Sequence, residues 1–383
     1  MTGRRSKGYG PRMTDSSWID STPALEAWIA GVAEGPLAVD TEADSFHHYR
    51  EKVCLVQLSA GGRHALVDPL AEIEWSALGR RLADPAVEKI LHGADYDVRL
   101  LERDLGLAVV NLFDTSIAAR LTGETSIGLA ALLAKHLGVT LDKSHQRADW
   151  SKRPLGDAMR AYAVADTAHL QALAAILAAE AERLGRLAWV REECARIESV
   201  RWRDRARDDP EAFRRVKGAA SLTPPGLAVL REVWGWRDEV GRRRDRPVFR
   251  VLRDEVLLAI ARAAPATVAD LVKIAGFPEA LARSPVAIDV VEAVRRGLAC
   301  PEPERPQPRP SLRVVLPPEV EARLDDLRQR RDQVAQPLGL DPSLVANRAV
   351  LEEMARRLVA GADPFEVPDL RPWQAALLKP VLA

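Results

Sequence analysis

Cysteine is scarce in this chain. Three occur in 383 residues, Cys54, Cys194 and Cys300, odd in number and far apart. They argue against a disulfide framework or a zinc cluster, and so low a count suits a reducing cytoplasm. Net charge is missing as well: 55 Lys and Arg balance 55 Asp and Glu. Global charge therefore announces no nucleic-acid partner, and any basic footprint has to be local. The opening stretch MTGRRSKGYGPRMTDSSW is basic but has no apolar h-region, so it is no secretory signal. We read residues 1–20 as a flexible N-terminus. No apolar run approaches the length of a membrane span, and no membrane partner is expected. His47, His48 and His145 lack metal-ligand spacing and read as surface or polar-network residues.

What is present is a change of texture along the chain. Apolar residues make up 47%, enough for sizeable cores, and the length favours two or three domains. Between 37 and 120 short Val/Leu-rich runs are bounded by Gly, Asp and Pro. LAVDT (37–41), VCLVQLSA (53–60), HALVDP (64–69), EKILHG (88–93) and NLFDT (111–115) read as strands. SAGGR between the second and third reads as a hairpin turn. Beyond about 126 the sequence turns to Ala/Leu-rich helix. The expected order is therefore an α/β domain with a mixed sheet flanked by helices, then all-α modules. The boundaries are 21–200 for the α/β domain, 201–221 for a charged connector and 222–299 for a first helical module. CPEPERPQPRP marks a proline-rich linker over 300–312, and 313–383 forms a second helical module.

Three stretches carry carboxylates in a suggestive arrangement. In LAVDTE, Asp40 and Glu42 stand at i and i+2 of a strand and share a face at its end, with Thr41 turned the other way. Two such carboxylates resist sharing a site unless a cation neutralises them, and oxygen-only donors suit Mg²⁺ or Mn²⁺ rather than zinc. A polar strand end in water would look the same. In ILHGADYDVRLL, Asp95 and Asp97 lie at a helix start, where the dipole stabilises negative charge or one Asp simply caps the helix. In AYAVADTAHL, Tyr162 and Asp166 are one helical turn apart on a face with small neighbours.

In this order and spacing the stretches resemble the ribonuclease D family, the Tyr-containing branch of the DEDD 3′→5′ exonucleases. LAVDTEADSFHHY, LHGADYDVRLLERDLG and YAVADTAHL look like the three exonuclease motifs. VCLVQLS, NLFDTSIAARL and HQRADWSKRPL are similar supporting stretches. The likeness spans essentially the whole chain. It implies a ribonuclease-H-like exonuclease domain in which Asp40, Glu42, Asp97 and Asp166 are the metal-binding carboxylates and Tyr162 positions the attacking water. The resemblance prefers Asp97 to Asp95, because the family's second-motif Asp lies five residues after the His that His92 matches. The implied cofactors are two divalent metal ions, Mg²⁺ or Mn²⁺, one activating water and one stabilising the leaving 3′-oxygen.

On the substrate side, Thr41, Tyr49, His92, Arg153, Arg243 and Arg246 are candidates. Tyr49 and Gln57 suit either a nucleotide pocket or ordinary packing and strand pairing. Arg147, Lys152 and Arg153 suit either phosphate contact or a solvated face beside a Trp150 anchor. Residues 227–265 resemble an HRDC domain through Leu230, Trp236, Arg237, Pro247, Phe249, Leu257 and Pro265. Residues 313–383 look like a divergent second copy, with Gln329-Arg330 or Arg331 at the Trp-Arg position. The first copy is locally basic at Arg242, Arg243, Arg244, Arg246, Arg250 and Arg253. The implied activity is phosphodiester hydrolysis from an RNA 3′ end, releasing 5′-mononucleotides. The implied substrates carry a single-stranded 3′ end, transfer RNA precursors above all, and no obligate protein partner is evident. A DNA exonuclease of the same superfamily is one alternative. A catalytically silent RNA-binding scaffold is another, and it would require loss of a carboxylate.

Overall fold

The computed structural model describes residues 16–32, 34–142, 144–202, 209–308 and 316–382. The chain divides into two compact units. One contains residues up to 42, 53–202 and the C-terminal segment; the other contains 43–52 with 203–314.

The first unit is built on a six-stranded sheet of order β1-β4-β3-β2-β5-β6. The strands are β1 (Ser16–Ile19), β2 (Leu37–Ala43), β3 (Val53–Ala60), β4 (Arg63–Val67), β5 (Lys89–Leu91) and β6 (Leu112–Asp114). The GG turn closes the β3–β4 hairpin, with Ala60 opposite Arg63, and both glycines take positive φ, as a two-residue hairpin loop requires. β1 pairs in parallel with β4, β2 with β5, and β5 with β6. Every residue of β3 is buried, as expected of a central strand covered on both faces. β1 corrects the flexible reading of 1–20: Ser16–Ile19 add an edge strand, too short and too Ser-rich to show in the sequence pattern. Residues 1–15 lie outside the described residues.

Among the described residues, eight helices accompany the sheet: α1 (Thr22–Ala30), α2 (Ser76–Ala83), α3 (Asp95–Leu105), α4 (Thr115–Leu121), α5 (Leu129–Leu137), α6 (Asp157–Ala168), α7 (Leu170–Arg183) and α8 (Leu187–Glu198). The stretch 157–183 is long and apolar enough, by length and composition, to cross a membrane, which corrects the expectation that no run approaches that length. Ala163 and Val164 of this stretch join a core with Cys54, Leu55, Leu66 and Trp150, as a helix packed on a sheet does.

In the second unit, α9 (Pro224–Arg243), α10 (Val248–Val251), α11 (Asp254–Ala263), α12 (Val268–Val272), α13 (Glu279–Ala282) and α14 (Val286–Ala299) share one core. Gly297 lets α14 approach α9 closely, since a Cβ there would stand 2.5 Å from the Val229 backbone. Phe213, Val216 and Ala219 belong to the same core, so the later part of the expected connector is packed structure rather than an exposed link. Residues 203–208 of that connector, and 309–312 of the proline-rich linker, lie outside the described residues.

The C-terminal segment contains α15 (Pro318–Leu338), α16 (Pro342–Val345), α17 (Arg348–Val359) and α18 (Pro372–Leu382). It packs into the first unit: Trp373 stacks on Trp189 at 5.0 Å and its Nε1 donates to Glu193. Helices α15 to α17 repeat α9 to α11 at a constant offset of 94, with each helix starting in register (224 to 318, 248 to 342, 254 to 348). The same hydrogen bond recurs. Arg237 Nη1 donates to the Leu252 carbonyl, and Arg331 Nη1 to the Ala346 carbonyl. Buried pairs Leu230/Leu324, Val233/Leu327 and Leu257/Leu351 follow the same offset. Arg331 thus takes the place of Arg237, and Arg330 that of Trp236.

Candidate active site

β2 and β5 run in parallel, with Leu37 opposite Lys89 and Ala38 opposite Ile90, so both deliver their ends to one edge of the sheet. β2 continues into Asp40, Thr41 and Glu42. β5 continues through the tight turn at Gly93 (φ 76°) into α3. That turn is held by buried Asp114, whose carboxylate accepts from the backbone N–H of Gly93, Ala94 and Ser116 at 2.7–2.9 Å. Asp114 went unremarked as a functional residue in the sequence, although an Asp just before Thr115-Ser116 is an N-cap signal. α6 crosses β3 and β4 and supplies Tyr162 and Asp166 from one face.

Asp40, Glu42 and Asp166 each offer a carboxylate oxygen, and these atoms lie within 4.8 Å of one another. Asp97 joins them from α3. It is buried, and its Oδ1 accepts a 2.5 Å hydrogen bond from the Thr41 hydroxyl. Asp95 instead turns outward to a 2.9 Å ion pair with Arg99. Among the described residues, none of the four clustered carboxylates has a Lys or Arg ion-pair partner.

The electrostatic cost is visible in the acidities. Burial first, then Asp97, Asp166 and Glu42, hold the Asp40 carboxyl well above the usual range. Burial and the same neighbours push Glu42 up to about 9. Burial raises Asp166 to about 7, against the opposing hydrogen bond from Tyr162. It raises Asp97 to about 6, against the hydrogen bond from Thr41. Burial and the anionic cluster drive the Tyr162 phenol far upward, so it stays protonated. Oxygen-only donors crowded together without a counter-cation are what a hard divalent ion neutralises, so the residues fit such an ion.

The structure distributes the substrate-side candidates differently. Thr41, read as turned away from the carboxylates, is bonded to Asp97. His92 Nδ1 lies 2.8 Å from Thr115 Oγ1, and burial lowers its pKa, so it is held as a neutral ring. Arg153 is corrected as a phosphate ligand. Its guanidinium is consumed by Asp68, at 2.5 and 2.7 Å, and by the carbonyls of Cys54, Trp150 and Lys152. It fastens the loop before α6 to β3 and β4. Gln57 is fully buried, with neither amide atom partnered among the described residues. Tyr49 belongs to the other unit, where its hydroxyl donates to Asp238 at 2.7 Å. Arg243 and Arg246 are exposed there.

Residues 16–182 match the family of 3′-5′ exonucleases, and residues 226–286 match the HRDC domain. Together with the carboxylate cluster on an α/β sheet, this defines the class: a DEDD-superfamily 3′→5′ exonuclease with a helical accessory module, a class that depends on metal ions. The chain is 34% identical to ribonuclease D of Pseudomonas paraeruginosa over 340 residues, 88% of either protein. It is 35% identical to that of Gluconacetobacter diazotrophicus over 82% of this chain and 81% of that one. The crystal structure of Escherichia coli RNase D, described as an exoribonuclease involved in structured RNA processing, superposes with a TM-score of 0.71 at 28% identity. That match covers 96% of this chain and 97% of that one. The catalytic core of RRP6 from Trypanosoma brucei matches with a TM-score of 0.63 at 28% identity, over 74% and 80%. The chain belongs to the ribonuclease D family and is a 3′→5′ exoribonuclease.

Proposed function

We propose that Asp40, Glu42, Asp97 and Asp166 hold two divalent metal ions, Mg²⁺ or Mn²⁺, and that Tyr162 orients the water that attacks the last phosphodiester of an RNA 3′ end. The observation that carries this is the half-buried trio of Asp40, Glu42 and Asp166, joined by buried Asp97, with no Lys or Arg ion-pair partner among the described residues. When bound, such ions acidify the attacking water and stabilise the departing 3′-oxygen. The chain's own groups do the rest. Tyr162 donates a hydrogen bond to Asp166, which leaves only its oxygen lone pairs to accept from a water. A phenol that stays protonated orients the water and does not deprotonate it. Thr41 fixes the Asp97 carboxylate, and Asp114 fixes the turn that delivers it. The products are 5′-mononucleotides.

RNA with a single-stranded 3′ end on a structured body is the substrate we favour, transfer RNA precursors in particular. The described role of the Escherichia coli relative in structured RNA processing supports this. We also propose that the C-terminal segment is a second HRDC-type domain, supported by the 94-residue repeat and its recurring arginine–carbonyl bond. The three buried free cysteines fit the cytoplasm.

The test is digestion of 3′-labelled and 5′-labelled RNA carrying a precursor trailer, and of matched DNA, with Mg²⁺, Mn²⁺ or EDTA. The 3′ label is expected to leave first as a mononucleotide, with RNA preferred and EDTA abolishing the reaction. Asp40→Asn is expected to fall at least about 10³-fold, about 4 kcal/mol of barrier, with the fold intact. A wild-type rate from that variant would dismiss the assignment.

A further inference from the structure

Helix α3 carries Asp97 in its first turn, and its other charged side chains are not spent on the metal cluster. Asp104 stands in the last turn, where the helix dipole disfavours an acid. Its carboxylate is taken up by the neighbouring strand instead: Oδ2 accepts from the Val53 N–H, the first amide of β3, at 2.8 Å. The Arg103 guanidinium closes on the same carboxylate through Nε and Nη2, at 2.5 and 2.8 Å. Asp97 and Asp104 are seven residues apart, so they share a face of the helix and stand about 10 Å apart along its axis. That face is tied to the sheet at both ends, Asp97 by Thr41 of β2 and Asp104 by Val53 of β3.

Another face of α3 holds a later piece of chain. Arg99 and Arg103 are one turn apart. Arg99 pairs with Asp95 through Nε and Nη2, at 2.9 and 3.0 Å, and its Nη1 donates to the Arg201 carbonyl at 2.5 Å. The Arg103 guanidinium lies over the Trp202 ring, 4.1 Å from its centroid, well within cation–π range. Asp95, the acid that the metal cluster leaves out, thus orients the arginine that grips residue 201. The fastened positions have something in common. The chain leaves the first unit after Glu42, returns at Val53 and leaves again after Trp202. Thr41, Val53 and Trp202 stand at or next to these three passages, and each is bound to α3.

We infer that Arg103, Asp104 and Trp202 are positioning residues for the metal cluster: they hold α3 to β3 and to the chain that leaves at 202, and so keep Asp97 at Thr41. A ligand that is already ordered costs less to bind through than one that must be ordered when the ion arrives, so the hold on α3 is read out as metal affinity. This rests on the reading of the four carboxylates as a metal site and extends it to the side chains that fix the helix delivering one of them.

The test titrates the full chain with Mn²⁺ by calorimetry, at a temperature where circular dichroism shows each variant folded. Trp202→Ala is expected to weaken Mn²⁺ binding about 2- to 5-fold, the range of one cation–π contact, and Trp202→Phe, which keeps a ring under Arg103, to restore it. Asp104→Ala is expected to weaken it about 3- to 10-fold, the range of one lost hydrogen bond. Arg183→Gln is the control, an exposed arginine of the same unit paired with Glu180, and affinity there stays unchanged. On a short single-stranded RNA at subsaturating Mn²⁺, both alanine variants lose kcat by the same factors while KM for RNA holds, and excess Mn²⁺ returns kcat to the wild-type value. A loss of stability alone moves none of these quantities in a folded chain. Hydrogen exchange of the metal-free protein is the readout that needs no ion: amides from Val98 to Leu101 exchange faster in both alanine variants. If Asp104→Ala does not fold, Trp202→Ala decides alone. Wild-type exchange in folded Trp202→Ala overturns the proposal, as does a wild-type Mn²⁺ affinity. A wild-type chain that binds no Mn²⁺ overturns the metal reading instead, and exchange then judges the hold on α3.

Discussion

Binding of a divalent ion to this chain should release protons, and the number follows from the cluster. Near pH 7 without metal, Glu42 holds its proton, Asp166 is about half protonated and Asp97 is mostly ionised, and Asp40, raised in the same direction, adds to the protonated fraction. Carboxylates that ligate a metal must be ionised, so about two protons leave. Affinity then rises with pH by up to about two decades per unit; water reaching the half-buried carboxylates trims this, and one decade is the floor. Metal-free stability runs the opposite way. An acid whose folded pKa is raised binds its proton more tightly when folded. Its contribution is full below the unfolded value near 4.5 and is lost as pH rises toward 9, the figure for Glu42. Between about pH 6 and 8 each such group removes roughly 1–3 kcal/mol, and saturating Mg²⁺ restores it. Calorimetric titration with Mg²⁺ or Mn²⁺ in buffers of different ionisation enthalpy counts the protons, and thermal unfolding with and without metal follows the stability. A pH-independent affinity with no net proton release would refute the reasoning, because it would mean that the four carboxylates are ionised before the metal arrives.

Two further outcomes follow from single side chains. Arg153→Ala should cost about 3 kcal/mol in urea unfolding, because it strands buried Asp68 while Arg153 itself keeps 23% side-chain exposure. Its RNA affinity should keep the wild-type salt slope, and a slope reduced by about 0.7 would restore the phosphate-ligand reading. Thr41→Val removes the hydroxyl that lowers the Asp97 pKa, so Asp97 should titrate above its present value of about 6. Metal affinity should drop about tenfold or more, the scale of one hydrogen bond to a charged group, and the acidic limb of the pH–rate profile should move upward. An unmoved limb would place Asp97 outside the working cluster.

The parts that were legible in the sequence share one property: their cause is local. β3 and its GG hairpin could be placed because eight apolar-rich residues and two glycines carry their own pairing instructions. Tyr162 and Asp166 could be set on one face because the helical period is fixed within a turn. The misreadings came where the deciding partner is distant. β1 is four residues long and acquires meaning only from β4, which starts 44 positions after β1 ends (Ile19 to Arg63). Arg153 looked available until Asp68, 85 positions earlier, claimed it. Thr41 shows the limit most sharply. Strand alternation correctly places Asp40 and Glu42 on one face and Thr41 on the other. Alternation says nothing, however, about what the next element brings to that other face. Because β5 runs parallel to β2 and turns at Gly93 into α3, Asp97 arrives opposite Thr41 and is tied to it at 2.5 Å. The acidic cluster therefore takes hold of β2 from both sides. Thr41 is part of how it is assembled, even though no periodicity along the strand could have said so.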